Sequence, residues 1–307
     1  MKSELLEFCR LCPRNCGIDR TAKQIGYCRT TSDILVARAA LHYWEEPCIS
    51  GTAGSGAVFF GGCNLGCVFC QNKDIVTGHV GQTLSITELA DTFVDLQSQG
   101  AHNINLVTPT HYVPMIADAI DIAKSNGLNI PIVYNTGSYE KVETIKLLKE
   151  KVDIFLPDFK YFDSSLAERF SNAHDYPKTA KECIHEMVST VGKCEFDSEN
   201  ENALIKRGVI VRHLVLPGHT KDSMKIIEYL YKTYGDSIYI SIMNQYTPML
   251  CKPQPDYPEL TRKVTAYEYN KVVDYALSLG ITNAFIQEGN TQSESFIPPF
   301  SSDKNVL

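Results

Sequence analysis

The chain has 307 residues, 44% of them apolar, and carries 29 lysines and arginines against 36 aspartates and glutamates, a net charge of −7. Such a length can bury a large core, and an acidic balance without blocks of like charge argues against a protein that works by neutralising phosphates, so nucleic acid is not an expected partner. No apolar run is long enough to cross a bilayer and MKSELLEFCR lacks the apolar core of a secretory leader; the expectation is a cytoplasmic protein with no membrane partner.

Eleven cysteines in a reducing compartment, an odd number, point to metal or redox chemistry rather than disulfides. Four precede any predicted strand: Cys9, Cys12, Cys16 and Cys28, in CRLCPRNCGIDRTAKQIGYC. Gly17 and Gly26 allow the tight turns of a metal knuckle, and four thiolates close a tetrahedral site, so zinc is chemically natural. A second, auxiliary iron–sulfur cluster is equally so, and the spacing separates neither from the other nor from a segment without metal. Cys48 follows with Glu45 and Glu46, which either reach a pocket or sit on a solvated turn.

From residue 57 apolar runs alternate with helical patterns. AVFFGG (57–62) reads as a buried strand, and a capping box, Ser85 with Glu88, opens a helix over 85–100. NINLVTP (103–109), IPIVYNTG (130–137) and VDIFLPDFKYF (152–162) read as strands separated by helices, the longest over 165–192. A polar insertion, 193–207, reads as an exposed loop. GVIVRHLVLPG, SIYISIMNQYTP and NAFIQE then continue the series, and 291–307 reads as a frayed tail. Strands apolar on both faces and separated by helices imply a parallel α/β sheet covered by helices. No early strand leads into Gly-x-Gly-x-x-Gly, which disfavours a dinucleotide fold. The expected organisation is a cysteine-rich segment (1–50), a barrel (51–290) and the tail.

A barrel places function at the C-terminal ends of its strands. There stand Thr108, Thr110 and His111, then Asn135 and Thr136, Asp158 and Lys160, Arg212 and His213, Asn244 and Gln245, and Gln287 and Glu288. The first strand ends in the second cysteine group, Cys63, Cys67 and Cys70, spaced C-x3-C-x2-C. Zinc in structural sites wants four closed ligands, and a cubane cluster is normally held by four thiolates. Three leave one iron open to a chelating amino acid, such as the methionine end of S-adenosylmethionine, whose sulfonium C–S bond an electron from the cluster can break. Cys183, Cys194 and Cys251 have no ligand-like spacing and read as small buried hydrophobes, and His79 and His102 as surface or core histidines.

C-x3-C-x2-C with Phe69 before the third cysteine, at the end of the first barrel strand, resembles the cluster loop of the radical S-adenosylmethionine superfamily. GGCNLGCVFCQN, VYNTG, IFLPDFKYF and VIVRHLVLPGHTKDS are similar to segments of the glycyl-radical-enzyme activases. The whole chain most resembles the PflX-type proteins related to the pyruvate formate-lyase activating enzyme. The resemblance implies a partial (βα)6 TIM-like barrel and a 4Fe-4S cluster on Cys63, Cys67 and Cys70 as catalytic centre. It implies Phe69 near the adenine, Lys160 on the carboxylate of S-adenosylmethionine with Asp158 and Arg212 nearby, and Gln245 or Asn244 toward the ribose. Thr108 and Thr110 occupy the place of a Gly-Gly-Glu-like strand end, and Asn135 stands where activases carry an acidic residue. The implied partners are a glycyl radical enzyme or another protein substrate and an electron donor such as flavodoxin or ferredoxin. Two alternatives stand beside this: radical modification of a small molecule or peptide, and a non-enzymatic iron–sulfur or metal-binding protein.

Overall fold

The computed structural model describes residues 4–200, 202–248 and 256–287. Its strands are β1 (Ile34–His42), β2 (Ser55–Phe60), β3 (Gln82–Leu84), β4 (Ile104–Val107), β5 (Ile132–Thr136), β6 (Ile154–Pro157), β7 (Glu195–Phe196), β8 (Ile205–Leu214), β9 (Tyr239–Met243) and β10 (Ala284–Ile286). The α-helices are α1 (Glu4–Glu7), α2 (Pro47–Ser50), α3 (Lys73–Val76), α4 (Ile86–Ser98), α5 (Val113–Ser125), α6 (Val142–Lys146), α7 (Ser164–Ser171), α8 (Tyr176–Val191), α9 (Thr220–Tyr234) and α10 (Ala266–Ser278).

One sheet runs β10-β9-β8-β6-β5-β4-β2-β1-β3, parallel from β2 to β10. β1 and β3 extend its edge in antiparallel pairing. Among the described residues β10 and β3 do not pair with each other, so this is a partial barrel of the expected α/β type, with an open side. Residues of β2, β4, β5 and β6 are buried throughout, as strands covered on both faces must be. Val58, Phe60, Leu106 and Phe155 from these strands share the main core with Leu89, Phe93 and Ile116 from the covering helices. Burying each such side chain stabilises the fold by about 1.5–3 kcal/mol. The capping box is present: Ser85 Oγ accepts from the Glu88 N–H at 3.2 Å, and Glu88 accepts from the Ser85 N–H at 2.8 Å.

Three segments depart from the sequence reading. β1 lies in the sheet ahead of residue 51, where the barrel was expected to begin; it pairs with β2 across its whole face. The helix expected over 165–192 is two helices, because Asn172 turns left-handed (φ 47°) and Pro177 starts α8 afresh. The insertion 193–207 is in part a hairpin, β7 against the start of β8, closed where Asp197 Oδ1 accepts from the Leu204 N–H at 2.9 Å. The tail, Glu288 and Cys251 lie outside the described residues.

Candidate active site

The loop after β2 begins with two glycines in tight places, and the second position suits only glycine. A Cβ on Gly61 would stand 2.5 Å from the Leu35 side chain; one on Gly62, whose φ is +86°, would stand 2.5 Å from the Cys28 carbonyl oxygen. The chain can therefore pass tightly under the N-terminal segment, and the Cys63 N–H donates to the Cys28 carbonyl at 3.1 Å. Further on, the Val68 N–H donates to the Phe170 carbonyl at 2.9 Å and Ser171 Oγ donates to Cys67 Sγ at 3.0 Å. Phe69 packs edge-on against Tyr161, Phe170 and Tyr246. The result is a loop held at both ends, with Cys63, Cys67 and Cys70 lining one cavity of about 210 Å³. Burial and the neighbouring thiols push the Cys63 and Cys70 thiols up, Cys70 to about 12. Ionising them therefore calls for a cation in the cavity.

Opposite the thiols stands a chain of charges. Lys160 Nζ donates to Asp158 Oδ2 at 2.6 Å, and Arg212 Nε donates to Asp158 Oδ1 at 2.9 Å. The other two guanidinium nitrogens donate to Glu45 Oε2 at 2.9 Å and to Asn135 Oδ1 at 2.6 Å. Asn105 and Asn135 donate in turn to Glu45 Oε1, at 3.0 and 3.3 Å. Burial alone would raise the Asp158 carboxyl, but Arg212 and then Lys160 outweigh it and hold it below the ordinary carboxylate range. Burial likewise opposes the charge on Lys160, and Asp158, together with the nearby Cys67 and Cys70, more than restores it. Lys160, Arg212 and Asp158 thus stay ionised together in a site where each is only 13–20% exposed. Glu46, next along, is buried with Oε2 unpartnered, and burial pushes its carboxyl up against the pull of Arg212.

Most of the residues marked by strand-end position reach this cavity. Cys63, Cys67, Cys70 and Phe69 line it from the loop; Thr108, Asn135 and Thr136 from β4 and β5; Asp158, Lys160, Arg212 and Gln245 from the far side. Thr110 does not: it is 1% exposed and donates its hydroxyl to Glu140 at 2.9 Å. The reason is local, since β4 ends at Val107 and Thr108 takes φ +58°, so strand alternation no longer governs the residues that follow. His111 is turned toward the N-terminal cysteines, and buried His213 is bonded through Nδ1 to the Phe159 carbonyl at 2.8 Å. Asn244 is not among the lining residues. Cys48 and Cys183 are buried in apolar clusters, His79 is exposed, and His102 accepts from the Ala53 N–H.

Glu45, left open between pocket and turn, is a pocket residue, together with His42 and Trp44. Because β1 runs antiparallel to β2, the chain leaving it meets the barrel from the end opposite the cysteine loop. The apolar run ILVARAALH, broken only by Arg38 before its end, is the signal that would have placed this strand, and Glu45 with it. Cys9, Cys12, Cys16 and Cys28 line a second, small cavity behind the loop. Among the described residues no three or more His, Cys, Asp or Glu side chains are already drawn round one point as ligands of an ion, at either cysteine group.

Residues 57–230 match the family described as Radical SAM superfamily. An uncharacterized protein of Methanocaldococcus jannaschii is 29% identical over 284 residues, covering 89% of this chain and 75% of that protein. Among solved structures, Streptococcus suis SuiB bound to the precursor peptide SuiA aligns with a TM-score of 0.49 at 12% identity, over 74% of this chain and 46% of SuiB. Methylornithine synthase (PylB) aligns with a TM-score of 0.44 at 14% identity, over 73% of this chain and 68% of that one. The chain thus spans less than half the length of SuiB and about two thirds that of PylB.

Proposed function

The chain belongs to the radical S-adenosylmethionine superfamily, and on that premise we propose that it is an enzyme which binds a 4Fe-4S cluster on Cys63, Cys67 and Cys70 and cleaves S-adenosylmethionine to abstract hydrogen from a polypeptide, activating a glycyl radical enzyme. When bound, such a cluster leaves one iron for the amino and carboxylate groups of S-adenosylmethionine and supplies the electron that yields the 5′-deoxyadenosyl radical. The donor set fits: among the described residues three cysteines, and no fourth, line the cavity.

The chain's own residues orient the cofactor. Lys160 neutralises the substrate carboxylate, and Asp158, shared with Arg212, keeps the ammonium aimed at it. The Thr108 backbone, turned by its positive φ, offers a carbonyl for the amino group in place of a Gly-Gly-Glu-like strand end. Phe69 supplies an apolar edge for the adenine, and Gln245, held near Gln71 and Gln287, a polar one for the ribose. Phe59, Leu65, Val107 and Leu214 form walls that keep water from a reactive radical. Asn135, in place of an acidic residue, is spent on Arg212 and Glu45 rather than on a cation.

The observation that carries this reading is that three thiols and the Lys160–Asp158–Arg212 chain face one cavity. A protein substrate is favoured by the open side of the sheet and by Trp44, a lining residue that is 60% exposed, which gives the cavity a mouth for a loop. The electron comes from a flavodoxin- or ferredoxin-class donor, for which dithionite substitutes in the assay. Reconstituted anaerobically, the wild type forms 5′-deoxyadenosine and the Cys63, Cys67, Cys70→Ala variant forms none. Lys160→Ala keeps its iron but binds S-adenosylmethionine at least about tenfold more weakly, the loss of one charge-assisted contact. A glycyl radical enzyme added to the mixture acquires a carbon-centred radical detectable by electron paramagnetic resonance. Absence of nucleoside from a fully loaded wild type would sink the enzymatic reading; nucleoside without a radical on the added protein would sink only the partner.

A further inference from the structure

The cavity behind the cluster loop is about 10 Å³, room for one small particle, and its wall holds Cys9, Cys12, Cys16 and Cys28. All four cysteines are free of disulfides, and no carboxylate lines the space. The turns around it are already those of a knuckle. Gly17 N–H donates to the Cys9 carbonyl and Cys9 N–H to the Ile18 carbonyl, both at 2.9 Å, and Tyr27 N–H donates to Cys16 Sγ at 3.4 Å. A Cβ on Gly26 would stand 3.2 Å from that same sulfur, so glycine lets the second turn close on the first.

Two other residues share the wall, and each is buried with an atom that has no partner. Arg20 is 0% exposed; its Nη1 donates to the His111 carbonyl at 2.5 Å and its Nη2 to Thr30 Oγ1 and the Thr31 carbonyl, but its Nε–H meets no acceptor. His111 is 2% exposed; its Nε2–H serves the Gly61 carbonyl at 2.8 Å, which leaves Nδ1 with a lone pair and no donor. Buried polar atoms are almost always satisfied. The unsatisfied Arg20 donor beside four thiols suits electron-rich thiolate sulfur, and the free His111 lone pair keeps a further electron-pair donor in the same wall.

We infer that this cavity is the site of a single thiophilic divalent ion of the zinc class, ligated by the thiolates of Cys9, Cys12, Cys16 and Cys28. Four thiols with no carboxylate in the wall favour a thiophilic over a hard cation, and the small space favours one ion over a polynuclear cluster. Four thiols bind one dication by releasing four protons to solvent, leaving a net charge of −2. Buried Arg20 offsets half of it and can give its free Nε–H to a ligand sulfur. The sulfurs close on the ion as it binds.

The ion would also position the catalytic loop, and this second half rests on the cluster reading above while the first does not. Cys28 presents its carbonyl to the Cys63 N–H. Arg14, two residues beyond Cys12, donates to the Asn64 and Ser171 carbonyls, each at 2.9 Å, and to that of Asn172. Ligating Cys12 and Cys28 therefore fixes both anchors of the loop that carries Cys63.

The test uses the full chain carrying Cys63, Cys67, Cys70→Ala, which isolates this site whatever becomes of the radical chemistry. It should hold one zinc per chain, release it when the thiols of the folded protein are modified, and take up cobalt with thiolate charge-transfer bands. Adding Cys12→Ser and Cys16→Ser should lower zinc below a tenth of an ion per chain. Less than a tenth of an ion in the triple variant, or iron and sulfide in its place, would overturn the mononuclear site. Cys12→Ser with Cys16→Ser in a chain that keeps Cys63, Cys67 and Cys70, reconstituted with iron and sulfide, should shift the paramagnetic resonance of the reduced cluster or lower its iron. An unchanged signal and iron content with the N-terminal site empty would overturn the positioning role.

Discussion

His213 sits inside the barrel wall with one ring nitrogen on the Phe159 carbonyl and the other unpartnered, and burial lowers its pKa from 6.5 to about 4. The sign follows from which state binds the proton. Below 6.5 the unfolded chain protonates this histidine while the folded chain does not until about 4, so stability is full above 6.5 and falls with pH across that window. The loss reaches about 3 kcal/mol at the acid end. His213→Gln should flatten that part of the denaturant-midpoint profile; an acid limb unchanged in the variant would count against it. At this scale Asp158, Lys160 and Arg212 were legible from their places at strand ends, since a parallel barrel sends such residues to one mouth. Thr110 and His111 were not, because alternation holds only while the strand does, and Thr108 breaks it. Glu45 was left undecided: its partner Arg212 lies 167 residues away, and nothing local in EEPCISG announces the pairing.

The two glycines that open the cysteine loop belong to the scale of elements, for they decide how closely β2 can hand the chain to the N-terminal segment. Gly62→Ala must put a Cβ 2.4 Å from Thr30 Cγ2 and 2.5 Å from a backbone oxygen, at φ +86°. Strain of that kind costs at least about 1–2 kcal/mol, and the cheapest relief is to break the Cys63–Cys28 bond. The variant should unfold at lower denaturant and load less iron on reconstitution; wild-type values for both would show that the loop tolerates a wider path. Most of the parallel strands were legible because each is an apolar run followed by a helical pattern. β1 was not, though its apolar run was available, because a βα count starts only where helices begin to intervene. The break between α7 and α8 was hidden for another reason: Asn172 adopts a left-handed turn inside a stretch whose apolar spacing runs on across it.

For the molecule as a whole, Arg14 joins parts of the chain that no periodicity connects. Its guanidinium lies 3.7 Å over the Tyr27 ring and 5.0 Å from that of Tyr139, while its hydrogen bonds reach the cysteine loop and the end of α7. Arg14→Ala removes several charge-assisted bonds and a stacked cation, a loss of about 2–4 kcal/mol. Limited proteolysis should then cut within the first 33 residues faster than in the wild type, with the barrel still resistant; equal rates would mean the segment is held by its apolar contacts alone. The overall architecture could be read from the order of elements, whereas the seating of the N-terminal segment on the barrel could not, since it depends on side chains meeting backbone carbonyls far along the chain.

The sequence distance between Glu45 and Arg212 has a bearing on how the protein is made. Both cysteine groups and the β1–β2 pair lie within the first seventy residues, although Phe170 and Ser171, which hold the cysteine loop, are made later. Asp158, Lys160 and Arg212 emerge much later, and the charge chain proposed to seat the cofactor closes only when β8 docks beside β6. On the proposed reading, a half-synthesised chain carries the thiols but no means of holding S-adenosylmethionine, so a reactive radical is not generated before there is a finished barrel to contain it.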